Sequence, residues 1–210
     1  MNAPTGSARP ILPGVQDGWF RHVNDFAAST PLLHGPARVY AHDGVVLFGV
    51  LLLLGWWTAR AARDTRAMAA ALWAPLGMLL AIGLNQPLVH LFHEARPYTV
   101  HPHALVLVAR SQDYAFPSDH SVMAGAVAAG LWLVSRRLGT VAAVAALLMA
   151  VARVYVGAHF PLDVVAGLAF GAVVTVAGFM ALRPLLVRLV GRLARTPLRP
   201  LLRAPDAVPA

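Results

Sequence analysis

The sequence predicts an all-α, polytopic membrane bundle of about five membrane-spanning helices, preceded by an N-terminal helix in the membrane interface. Three observations lead there. Of 210 residues, 58% are hydrophobic and only 12% charged, with a mean hydropathy of +0.64, which no ordinary soluble domain shows. Apolar runs of about 20 residues, the length needed to cross bilayer hydrocarbon, recur along the chain. Arginines cluster between and after those runs, as topology signals do.

Asp17 to Ser29 carries Trp19, Phe20, Val23, Phe26 and Ala27 at helical spacing, with Arg21, His22, Asn24 and Asp25 opposite. That pattern fits a helix lying in the interface or packed on a loop. Thr30-Pro31 and His34-Gly35-Pro36 then break the chain. Spans are expected at Val39 to Ala59, Ala67 to Phe92, Asp119 to Ser135, Leu138 to Gly157 and Pro161 to Leu182. Pro75 and Pro87 predict a bend in the second, while Ala124, Gly125, Ala128, Ala129 and Gly130 allow close helix contact in the third.

Arg60, Arg63 and Arg66 link the first two spans, Arg136 and Arg137 link the third to the fourth, and six arginines from Arg183 to Arg203 follow the fifth. The positive-inside rule assigns all three groups to the cytoplasm. The loop from His93 to Ser118 and the turn at Ala158 to Phe160 then fall together on the outer face. One domain is expected over residues 1–210, with 1–36 an N-terminal interfacial segment and 187–210 a basic cytoplasmic tail, partly disordered. Met1 to Gly14 holds no apolar core of signal-peptide length and no cleavage site, so the first span is expected to direct insertion.

All 17 basic residues are arginine, and the net charge is +8. Such a balance suggests nucleic acid in a soluble protein, but arginines beside apolar spans suit anionic lipid headgroups instead. With 0 cysteines, disulfide and thiolate chemistry are excluded.

Three clusters carry the chemistry: Arg96-Pro97, Pro117-Ser118-Asp119-His120, and Arg153 with His159 and Asp163 at six and ten residues beyond it. Arginines clamp phosphoryl oxygens, and a helix N-terminus with a serine donates hydrogen bonds to them. Pro161 suits a first helical turn, which puts His159 just before a helix and Asp163 within its first turn. Asp163 can reach back to one ring nitrogen of His159 and leave the other to attack phosphorus, while His120 can protonate the departing oxygen. Each cluster also has a plainer reading: Asp163, Ser118 or Asp119 as helix caps, and Arg96 and Arg153 as interfacial arginines. Their joint occurrence in this order favours the chemical one.

These residues resemble the three-part signature of the type 2 phosphatidic acid phosphatase superfamily, lipid phosphatases that share their site with vanadium haloperoxidases. The resemblance covers roughly Asn85 to Gly171. It implies that His159 is the nucleophile forming a phosphohistidine, that Asp163 orients it and that His120 is the general acid. It further implies that Arg96, Ser118 and Arg153 bind the phosphate, with Asp119 in the same phosphate-binding motif, and that no cofactor or metal is used. Two positions depart from the signature: Val89 stands where a lysine is expected, and Ala152 where a serine usually precedes the arginine. His90, His93 or Arg110 are candidates to replace the lysine. Phe116-Pro117-Ser118-Asp119-His120 is similar to the subgroup acting on undecaprenyl pyrophosphate.

The expected function is hydrolysis of undecaprenyl pyrophosphate to the monophosphate on the outer face of a bacterial plasma membrane. The expected partners are that lipid substrate and membrane lipids, without nucleic acid. Alternatives are a phosphatidic acid or phosphatidylglycerol phosphate phosphatase, a lipid phosphotransferase, or a small proton-coupled permease. The permease is disfavoured because the ionisable residues gather at one face instead of along a midplane path. His90, His93, His101 and His103 suggest a metal cluster, but they lack carboxylate or thiolate company. Asn85 and Gln86 are expected to bond to neighbouring helices.

Overall fold

The computed structural model describes residues 14–204, so the expectations on residues 1–13 and on the end of the tail, 205–210, lie outside it. Every regular element among the described residues is helical: α1 (Val15–Ser29), α2 (His34–Asp43), α3 (Val45–Ala62), α4 (Thr65–Phe92), α5 (Pro97–Val100), α6 (Asp119–Val134), α7 (Arg136–Tyr155), α8 (Pro161–Leu193) and α9 (Arg199–Leu202). Four stretches, over α3, α4 with α5, α7 and α8, have the length and composition to cross a membrane; α6 is apolar but shorter.

α6 is the centre of the bundle, packed by α4, α7 and α8. Its small residues allow this. A Cβ at Gly125 would collide with the backbone of Leu168 on α8, and one at Gly167 would stand 2.8 Å from the Ser118 carbonyl. Buried Trp73 ties α4 to α8 by donating to the Thr175 carbonyl at 2.9 Å.

Three boundaries differ from the expectation. The residues expected to open the first span belong to a separate helix, α2, and the chain turns at Gly44, where a side chain would strike Tyr40 and Met149. His42, Asp43 and Gly44 interrupt the apolar run there, and that polar break was the available signal for the turn. α8 passes through Pro184 and ends at Leu193, well beyond Leu182. The basic tail is helical and docked over its described part: Trp56 Nε1 donates to the Leu201 carbonyl at 3.0 Å, Arg60 Nε to that of Pro200 at 2.6 Å, and Arg203 to Thr65 Oγ1 at 2.8 Å.

The N-terminal helix packs on the loop and on α7 and α8. Its buried face is Gln16, Phe20, Asn24 and Ala27, whereas Trp19 and Phe26 each remain 54% exposed. The amide of Asn24 pairs with the Leu105 backbone at 2.8 and 2.9 Å, which satisfies a polar side chain facing inward.

Candidate active site

The C-terminal ends of α4 and α7 and the N-terminal ends of α6 and α8 meet at one end of the bundle, and the three motifs meet with them. There they surround a cavity of about 750 Å³ lined by Arg96, Pro117, Asp119, His120, Arg153 and His159 among others. The arginines at 60–66, 136–137 and 183–203 sit at the opposite helix ends.

His159 lies in the short turn between α7 and α8 and is only 3% exposed. Its Nδ1 is 3.0 Å from the Ala115 carbonyl and 3.3 Å from Asp163 Oδ2, both pure acceptors once the carboxyl is ionised on that oxygen. Its Nε2 is 3.2 Å from Arg96 Nη1, a guanidinium nitrogen that can only donate. The proton therefore sits on Nδ1, and Nε2 carries a lone pair. Burial first, then the guanidiniums of Arg153 and Arg96, hold this imidazole well below its ordinary pKa, which keeps it neutral.

Asp163 is fully buried in the first turn of α8. Its Oδ2 also receives the Phe160 N–H at 2.8 Å, the return bond of a capping box without its reciprocal half, since Phe160 has no side-chain acceptor. One oxygen of Asp163 thus both caps the helix start and meets the ring of His159. Arg96 is held by the Asp113 and Ala158 carbonyls at 2.9 and 3.1 Å. Arg153, in the last turn of α7, bonds the Ala41 carbonyl at 3.2 Å, and its Nε is buried with no partner among the described residues.

Ser118 is the N-cap residue of α6, and its N–H bonds the Asp163 carbonyl at 3.1 Å, tying the second motif to the third. Its hydroxyl is buried and has no partner among the described residues, while the cavity wall is made by Pro117, Asp119 and His120. His120 is half-buried beside Arg153, Arg96 and His42, and its ring makes no hydrogen bond to a described residue. Asp119 accepts from Asn85 at 2.7 Å and Gln86 at 3.1 Å, so those two α4 amides do bond a neighbouring helix. A carboxylate so engaged anchors the α6 N-terminus, whose first backbone N–H groups point toward the cavity end.

Val89 lines the cavity where the resemblance expects lysine. Of the three candidate replacements, His90 lines the cavity, His93 lies against the Tyr114 ring at 4.6 Å, and Arg110 lies over Tyr98 at 5.6 Å. His101 pairs with Asp17 at 3.0 Å and stacks on Phe20, away from His90 and His93. No group of three metal-ligating side chains gathers among the described residues.

Sequence reasoning missed two neighbours. His42, on α2, lines the same cavity, and nothing in its local pattern marked it. Glu94 is fully buried behind Arg96; an acid at the end of an apolar span was the available signal.

A family model described as the PAP2 superfamily matches residues 70–185. The bacitracin transport permease protein BcrC of Bacillus licheniformis is 26% identical over 152 residues, covering 72% of this chain and 73% of that protein. Undecaprenyl-diphosphatase BcrC of Bacillus subtilis is 27% identical over 139 residues, covering 66% and 68%. The crystal structure of a PAP2 type phosphatidylglycerolphosphate phosphatase from Bacillus subtilis superposes with a TM-score of 0.57 at 20% identity, over 88% of this chain and 89% of that one. With apolar helices that span a membrane several times and a family match over more than half its length, the chain belongs to the PAP2 superfamily and is a multi-pass membrane phosphatase.

Proposed function

We propose that this phosphatase hydrolyses undecaprenyl pyrophosphate to undecaprenyl phosphate through a phosphohistidine on His159. The observation that carries the mechanism is the state of that ring, with Nδ1–H held by Ala115 and Asp163 and the Nε2 lone pair facing Arg96 and the cavity.

Nε2 attacks the terminal phosphorus and the bridging P–O bond breaks, while His120, which takes up a proton once the substrate's phosphates stand against Arg153 and Arg96, gives that proton to the departing lipid phosphate. His120, now neutral, takes a proton from water, which attacks the phosphohistidine and releases inorganic phosphate. Arg96, Arg153 and the N–H groups at the start of α6 hold the phosphoryl oxygens as charge builds on them; the Ser118 hydroxyl stands beside them as a further donor. The electrostatics come from protein groups, and no step uses a metal. The arginine pattern supports an orientation with this end of the bundle at the outer face of a bacterial plasma membrane, where a carrier lipid emerges as pyrophosphate once its cargo is transferred.

The substrate reading rests on the Phe116 to His120 motif and on the resemblance to undecaprenyl-diphosphatase BcrC. The test is phosphate release by purified protein in detergent from undecaprenyl pyrophosphate, phosphatidic acid and phosphatidylglycerol phosphate. A kcat/KM highest for the pyrophosphate supports the proposal. Preference for either monoester makes the protein a phospholipid phosphatase.

A further inference from the structure

Behind His159 lies a second carboxyl, that of Glu94, which the proposed chemistry leaves unused. It stands between α4 and α5, two residues before Arg96, and is fully buried. Its Oε1 accepts from Gln16 Nε2 at 2.7 Å, and Gln16 is itself fully buried on α1. Its backbone carbonyl accepts the Ala115 N–H at 2.9 Å, and the carbonyl of that same Ala115 meets His159 Nδ1. The Glu94 and Asp163 carboxyls face each other closely enough to bond. Asp163 Oδ2 is taken by Phe160 and His159, while its buried Oδ1 is reached by no N–H or hydroxyl among the described residues. Two carboxyl groups bond only through a proton that one of them carries, and two bare charges buried side by side would be costly.

We propose that Glu94 is a positioning residue: it shares one proton with Asp163 Oδ1, so that Asp163 keeps Oδ2 on the Nδ1–H of His159, and Gln16 of α1 fixes Glu94 in turn. The pair then carries one negative charge, set against Arg96 and Arg153. This rests on His159 being the nucleophile. Glu94 never touches the substrate, so its loss should lower turnover and leave binding alone.

The test is kcat and KM of the full chain toward the lipid pyrophosphate. A glutamine at position 94 can accept from Gln16 and donate to Asp163, as a protonated glutamate does, so Glu94→Gln should keep kcat within about fivefold. Glu94→Met matches the length without a donor, and kcat should fall on the order of 10- to 100-fold with KM within about threefold. Added to Asp163→Ala, Glu94→Met should cost less than about twofold more, because it acts through the missing side chain. Equal losses in the two single variants, a full additive loss in the double variant, or a change confined to KM would overturn the proposal. Should Glu94→Met not fold, a drop beyond tenfold in Glu94→Gln overturns it alone. A full rate in Asp163→Ala overturns the proposal, a near-native rate in folded His159→Ala fells the histidine mechanism itself, and a slow Asp163→Ala beside a fully active Glu94→Met removes only the positioning role.

Discussion

Arg96 points its Nη1 at Nε2 of His159, 3.2 Å away, and steadies itself on the Ala158 carbonyl next door. A guanidinium stays charged and only donates, so its neighbour must present a lone pair. The same cation that fixes the tautomer also opposes protonation of the nucleophile. An arriving phosphoryl group would take over part of this contact, which brings the electrophile to the nitrogen that attacks it.

Replacing either histidine should therefore be severe. His159→Ala and His120→Ala are each expected to lower turnover on the order of 10²-fold or more, since one removes bond formation and the other proton transfer. Acid-labile, base-stable phosphate should be trapped on the wild type and absent from the His159 variant. A near-native rate in folded His159→Ala would end the mechanism.

The ionisation of His159 can be read directly. Its depressed pKa means that the ring stays neutral as pH falls through the ordinary imidazole value of about 6.5 and gains its proton only below it. In ¹⁵N spectra of the detergent-solubilised protein, the resting ring should show the Nδ1–H tautomer at pH 6.5. Arg153→Gln removes an opposing charge, so the titration should move to higher pH. Movement to lower pH would contradict the assigned cause.

Activity should survive exhaustive chelation, because two arginines and a helix N-terminus supply what a two-metal site would otherwise provide. Turnover abolished by EDTA and restored by a divalent ion would require the site to be rebuilt around a metal.

Topology is open to labelling, because no native cysteine competes. A cysteine at exposed Thr99 should react with a membrane-impermeant thiol reagent in intact cells, whereas one at exposed Ala62 should react only after the membrane is opened. The reverse pattern would place the site in the cytoplasm.

The motif residues were legible because each marks a helix end, and arginine placement alone sends the ends of α4, α6, α7 and α8 that bear them to one side. Arg96, His120, Arg153, His159 and Asp163 accordingly gather around one cavity or directly behind it. What was not legible depends on partners distant in sequence. Glu94 is buried by Gln16, 78 residues away, and looks in isolation like any interfacial acid. Tyr40 of α2 reaches the Ala145 carbonyl, a contact across 105 residues that no local apolar pattern encodes, although His42-Asp43-Gly44 mark the turn that follows it. The tail docks because Trp56 and Arg60 offer donors to its carbonyls, whereas its composition alone suggested disorder.

α6 has 16 residues, so at about 1.5 Å per residue it is about 24 Å long, short of the roughly 30 Å of bilayer hydrocarbon. Joined to the 20-residue α7 at Ser135, it stops about 6 Å short of that helix's far end, so its N-terminus forms the floor of a well between its neighbours' ends. A lipid can lower its phosphate into such a well while its chain stays among neighbouring acyl tails. A soluble phosphoester has no anchor to hold it at that depth. A helix this short would act as a depth filter, and on that reading shortening the lipid chain of the substrate should raise KM before it lowers kcat.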